Sequence, residues 1–423
     1  MIEKISTVFL GLAILHSFLA PVFAKIAKKF DQGTASEAFF HILSEVEVVF
    51  GFWAFLFLTT WVFIEGAQPV IQYQQSLQMT EPLFVFCIMI LSSTRPIINL
   101  ARLVLIQFSN LIQKIIPSVD LKIIQIFVVL GFGPLLGSLI TEPAAMTILA
   151  LLLYRMIQHE DEVLLYSLVG LLFVNISIGG GLTHFAAPPI LIVAHKFGWQ
   201  LKDVFVNMGE AVICAVLTNV VLFVIFFRKR IKLKLSLLID DSQKIPIWIT
   251  LTHILFLALI VATAHYEKVF MGLFLIFIGI TTVTKKYQDQ LKFKEGFLVA
   301  FFLAGLIVFG SLQKWWLTPI LTIIQEKPLY FVATILTAFT DNAALTFLGS
   351  QVESLTETSK WALVSGAITG GGLTILANAP NPAGFTILSS KFKNSALNAF
   401  KLFIAALLPT MIAIFYFMLL GNF

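Results

Sequence analysis

Thr141-Glu142-Pro143-Ala144-Ala145-Met146-Thr147 interrupts an apolar run that extends from about 122 to 156. A matching layout returns 199 positions later, where Thr340-Asp341-Asn342-Ala343-Ala344-Leu345-Thr346 interrupts the run from 329 to 350. The pieces on either side of each interruption are read as too short to cross a bilayer, which takes about 20 apolar residues per helix. Half-length helices meeting at a polar tip are the sequence form of a re-entrant hairpin.

A second pair of motifs follows in the same order. Gly179-Gly180-Gly181-Leu182-Thr183 precedes Ala186-Ala187-Pro188-Pro189, and Gly370-Gly371-Gly372-Leu373-Thr374, at an offset of 191, precedes Asn378-Ala379-Pro380-Asn381-Pro382. Two ordered pairs at nearly constant offset indicate an internal duplication. The chain then divides into an N-terminal helix (1–36), a first repeat (37–228; tip 141–147, break 179–189), a basic linker (229–245) and a second repeat (246–423; tip 340–346, break 370–384). The apolar stretch from Thr7 to Ala24 reads as a retained helix rather than a secretion signal, because Glu3 offsets Lys4 ahead of it.

The rest of the composition agrees. Of 423 residues, 58% are hydrophobic and 12% charged, about half the charge of a soluble domain. The apolar runs are continuous rather than alternating, so the expected fold is an all-α polytopic membrane protein with roughly ten to twelve spans. Soluble enzymes and nucleic-acid binders are poor candidates, and no Gly-x-x-x-x-Gly-Lys-Ser/Thr loop suggests an ATP-driven pump. Net charge is +5. It is concentrated at Arg228, Lys229, Arg230, Lys232 and Lys234, and at Lys285, Lys286, Lys292 and Lys294. Two apolar runs separate the clusters, so loops 228–245 and 285–294 fall on one side, the cytoplasmic one. Cys87 and Cys214 lie within apolar runs and read as core packing.

A triple glycine costs a helix about 1 kcal/mol per residue, and nearby prolines remove backbone donors. Both Gly-rich helices are therefore expected to unwind and to offer carbonyls to a cation; close helix packing through small residues is the competing reading. Glu142 and Asp341 take equivalent places at the tips. A charge within the bilayer costs about 2.5–3.5 kcal/mol, so such groups need a partner or a role. A carboxylate there can hold a proton or a cation, and the two compete. Glu45, Glu47, His184 and Glu210 are candidates for a proton path, against interfacial or structural placement. Arg95 and Arg102 are expected to snorkel or to pair with these acids.

At the tips and breaks the sequence resembles the ion transporter superfamily, and most closely its bacterial "putative sodium/proton antiporter" family, over most of the chain. The resemblance implies inverted repeats, a scaffold domain beside a moving transport domain, often a homodimer, and a bacterial inner membrane. It implies no cofactor; sodium is the transported or coupling ion, and sodium, protons and the lipid bilayer are the partners. Carried over by position, Thr141, Glu142 and Pro143 take the first tip, Thr340, Asp341 and Asn342 the second, and Pro188-Pro189 and Pro380-Asn381 the helix breaks. The expected ion site then comprises Thr141, Glu142, Thr147, Gly179, Gly180, Gly181 and Thr183 in the first half. In the second half it comprises Thr340, Asp341, Asn342, Thr346, Gly370, Gly371, Gly372, Thr374, Asn378 and Asn381, with Asp341 as the principal carboxylate and Asp341 and Asn342 as sodium ligands. Carboxylate transporters of the superfamily carry neutral Ser-Asn-Thr tips, whereas both tips here are acidic. Acidic tips favour a cation over an organic anion, with sodium-coupled anion symport and arsenite export as the alternatives.

Overall fold

The computed structural model describes residues 1–31, 33–157, 161–231, 244–264, 266–392 and 398–423. Lys232 and Lys234 of the basic linker, His265, and the side chain of Glu47 lie outside the described residues. Among the described residues all regular structure is helical. The chain opens with α1 (Ile2–Ala27), α2 (Ala35–Ser44), α3 (Val46–Glu65), α4 (Ala67–Ser76), α5 (Thr80–Ser92) and α6 (Arg95–Ile115). There follow α7 (Leu121–Phe127), a π-helical turn at Val128–Phe132, α8 (Gly133–Ile140), α9 (Glu142–Met156), α10 (Glu162–Gly179), α11 (Pro188–Phe197) and α12 (Leu201–Phe227). The second half contains α13 (Ile247–Ala262), α14 (Glu267–Val283), α15 (Phe293–Gly310), α16 (Lys314–Leu321), α17 (Glu326–Thr337), α18 (Asn342–Ser350), α19 (Glu357–Gly370), α20 (Asn381–Ser389) and α21 (Ala399–Leu420).

Six helical stretches among the described residues are long and apolar enough to cross a membrane, or seven if α4 and α5, bent by 60°, make one span. This is fewer than hydropathy suggests, because much of the apolar sequence is divided among short helices such as α9 (15 residues), α18 and α20 (9 residues each). The arm entering the first tip departs from expectation. It is not half-length: the π-helical turn keeps α7 and α8 in one stretch, Leu121–Ile140, of 20 residues. The buried amide of Asn175 supports that turn by donating to the Leu130 carbonyl at 2.7 Å.

Helix α10 forms the centre, with 89% of its most apolar window buried, against 28% for α21 and 33% for α3. Glycines set the closest approaches. Gly366 and Gly370 of α19 lie against the carbonyls of Tyr330 and Thr334 in α17, and Gly305 of α15 lies against the Phe50 backbone of α3. Helix α1 joins α3 and the turn after α15 through Trp53 to His16 (3.1 Å) and Thr7 to Gln313 (2.9 Å). Helices α13 and α14 form a hairpin; Gln288, just after α14, lies 3.1 Å from His253 in the second turn of α13. Residues 244–246, which lead into α13, and the segment that follows α14 therefore lie at one end of this hairpin.

Candidate functional site

Each tip leads into a helix that begins at a polar residue. Helix α9 starts at Glu142 behind Thr141, whose φ of 77° is the single positive value for a non-glycine among the described residues. Helix α18 starts at Asn342, and Asp341 caps it by accepting from the N–H groups of Ala343 (2.8 Å) and Ala344 (3.1 Å). Behind each tip a helix breaks. Helix α10 ends at Gly179 and tightens into a 3₁₀ turn at Gly180–Leu182 before α-helix resumes at Pro188; α19 ends at Gly370 and α20 starts at Asn381.

Tip and break are joined the same way in both halves. The Glu142 N–H donates to the Ala186 carbonyl at 3.2 Å, and the Asn342 N–H to the Ala377 carbonyl at 3.0 Å. A Cβ on Gly180 would collide with the Glu142 carboxyl, and one on Gly371 would fall 2.7 Å from Asn342 Nδ2. These contacts correct the register read from sequence. Glu142 corresponds to Asn342, one position on from Asp341, because Asp341 caps its helix in the place where the first tip has strained Thr141.

The glycines combine both readings of the triplets. Gly179 lies against the Pro134 backbone and Gly370 against that of Thr334, which is close packing; Gly180 and Gly371 make room for the polar tip residues; Gly372 approaches the Val174 backbone, and Gly181 meets Ile368 and Val212. The unwound carbonyls are largely engaged by the protein. Ser138 Oγ donates to Gly179 at 2.6 Å, and Asn381 Nδ2 donates to Gly371 and Thr374, both at 2.8 Å.

Several buried side-chain oxygens, by contrast, are left unpaired. Glu142 is fully buried; its Oε2 accepts from Asn378 Nδ2 at 2.9 Å, while its Oε1 has no hydrogen-bond partner among the described residues. Asn342, Asn378 and Asn381 are buried too, and among the described residues the Oδ1 of each, together with Asn342 Nδ2, is likewise without a partner. The Asn381 amide is oriented by its two carbonyl acceptors, so its oxygen must face elsewhere. The Asn378–Glu142 bond brings the second break onto the first tip, and Ser177, whose Oγ donates to Ile368 at 2.7 Å, ties α10 to α19 beside Gly371. Buried polar atoms are almost always paired, so a concentration of unpaired acceptors calls for an explanation. A carboxylate oxygen and amide oxygens form the donor set that hard cations take.

Other expected site residues have local roles. Thr147 and Thr346 hydroxyls return to carbonyls of their own helices (Pro143, 2.9 Å; Ala343, 3.1 Å), and Thr340 does the same to Leu336 (3.0 Å). Thr183 and Thr374 hold the breaks to the hairpin arms through Ser138 (2.8 Å) and Ala338 (2.9 Å). Thr141 is buried, its hydroxyl 3.3 Å from that of Ser92. Asp341 is half-buried and shares a small cavity with Asn378. Glu45 lies near His41 (3.6 Å) and Lys294 (3.9 Å), away from the tips, and Glu210 is exposed on α12. Arg95 pairs with Asp289 at 3.8 Å rather than with those acids, and Arg102 donates to Asn99 at 3.2 Å. Asn175, Ser177 and Ser138 were not singled out in the sequence; their signal was polar residues within a few positions of the glycines and the tip.

No curated protein matches the chain. The family described as "Putative Na+/H+ antiporter" matches residues 1–420, nearly the whole chain. A multi-pass helical protein that brings two broken helices and two hairpin tips together around a buried carboxylate thus belongs to that antiporter family.

Proposed function

We propose that the protein exchanges sodium for protons across a bacterial inner membrane, with the Glu142 carboxylate holding either ion. The observation that carries this reading is the fully buried Glu142, one oxygen without a partner among the described residues, hydrogen-bonded through the other to Asn378, whose own amide oxygen is likewise unpaired. An ionised carboxylate is costly in such surroundings unless something neutralises it. A proton does so, and so does a sodium ion shared with Asn342, Asn378 and Asn381. The two cannot bind together, and that exclusion couples their opposite movements.

Asp341 sits at the rim of the site and adds negative charge that attracts cations and repels organic anions. The group formed by α1, α3 and α15 acts as scaffold, and the tips and breaks move against it, exposing the site to each side in turn. The matching tip-to-break bonds support treating the two halves as repeats. The loops carrying Arg228 to Arg230 and Lys285 to Lys294 face the cytoplasm in this reading. The test is a pH dye in everted vesicles. Sodium should discharge the proton gradient with the wild-type chain, Glu142→Gln should abolish the response, and Asp341→Asn should retain part of it. A full response from Glu142→Gln would overturn the assignment.

A further inference from the structure

A cavity of about 280 Å³, ample for a hydrated cation, is lined by Gln78, Thr80, Glu81, His184, His195 and Phe185, among others. Three observations relate it to Glu142. The wall residues His184 and Phe185 lead straight into Ala186, whose carbonyl accepts the Glu142 N–H. Helix α5 carries Thr80 and Glu81 in its first turn and ends at Ser92, beside Thr141. Ala264, in the turn between α13 and α14, also lines the cavity, which places it at the opposite end of that hairpin from the segment that carries Lys285 and Lys286. The charges around Glu81 are those of His195, Glu267 and Lys196, and Thr80 Oγ1 donates to Glu267 at 3.3 Å.

We propose that this cavity is the vestibule through which sodium reaches Glu142 from the side opposite the basic loops, with Glu81 recruiting the hydrated cation at its mouth. The proposal rests on Glu142 being the ion site, but its geometry can be tested without transport. In a chain carrying Cys87→Ala and Cys214→Ala, single cysteines are placed by Gln78→Cys, His184→Cys and, as a marker of the basic face, Gln290→Cys. Right-side-out and everted vesicles are then treated with a membrane-impermeant thiol reagent. Gln78→Cys and His184→Cys should react from one side and Gln290→Cys from the other. Reaction of His184→Cys only from the Gln290→Cys side, or from neither side while Gln78→Cys reacts, would overturn the proposal. In transport, Glu81→Gln should raise half-saturating sodium by roughly 3- to 10-fold at about 10 mM salt, and much less at about 300 mM, where the field is screened. An unchanged sodium dependence at both salt levels would refute the recruiting role. Labelling that follows the expected pattern in a chain whose Glu142→Gln variant still transports would support the vestibule and remove the Glu142 assignment alone.

Discussion

Gly180→Ala adds one methyl group and tests whether the position of the Glu142 carboxyl controls transport. The backbone at Gly180 is ordinary right-handed helix (φ −66°), so alanine is not excluded conformationally. The obstacle is steric. The new Cβ would lie 2.6 Å from Glu142 Cγ and 2.9 Å from Cδ, whereas carbon atoms in contact sit about 3.5–4.0 Å apart. Relief requires a movement of about 1 Å, and the tip is held by the Glu142–Ala186 and Asn378–Glu142 hydrogen bonds. Displacement on that scale costs a positioned group up to about 100-fold in rate, and overpacking costs about 1–3 kcal/mol of stability. The assay is sodium-dependent proton movement in everted vesicles, normalised to folded protein from size-exclusion profiles. Gly11→Ala and Gly272→Ala serve as controls, since a Cβ at either position meets nothing within 4 Å. They should transport normally and melt no lower than wild type, as alanine is favoured over glycine in a helix by about 0.5–1 kcal/mol. Gly180→Ala with wild-type exchange would refute the argument that Glu142 must occupy this position.

Asn378→Ala removes the hydrogen bond that the Glu142 carboxylate accepts from Asn378; hydrogen bonds to charged groups contribute about 1.5–3 kcal/mol, so half-saturating sodium should rise at least 10-fold in vesicle titrations. Glu353, in the loop between α18 and α19, is held below the usual carboxyl value of 4.5 by its 2.6 Å hydrogen bond to Lys314. A lowered folded value means the pair stabilises above the ordinary carboxyl range and loses that contribution as pH falls through it. The melting difference between wild type and Glu353→Gln should accordingly persist at pH 7, fade below about pH 4.5, and shrink in high salt.

The tip and break motifs were legible because a membrane leaves few reasons for Thr-Glu-Pro or Thr-Asp-Asn inside an apolar run, and their recurrence in order pointed to the same neighbourhood twice. The breaks at Gly179–Pro188 and Gly370–Asn381 fall where the glycines and prolines stand. The register was harder. Sequence alignment pairs Glu142 with Asp341 because both are acidic and follow threonine, yet a helix cap and a strained backbone angle shift the correspondence to Asn342. The length of the α7–α8 arm was also out of reach, since a π-helical turn depends on an amide 45 residues away, at Asn175.

By itself the sequence determined that this chain lives in a membrane, bends back at two polar points and unwinds at two glycine clusters, because backbone propensity and desolvation are local costs that each residue carries with it. Only the tertiary structure decided which acid is enclosed. Asp341 accepts from the backbone amides of Ala343 and Ala344 and stays at the rim, whereas Glu142 meets an asparagine 236 positions downstream and leaves an oxygen unpaired. That choice depends on where separate helices cross, and no local rule encodes it.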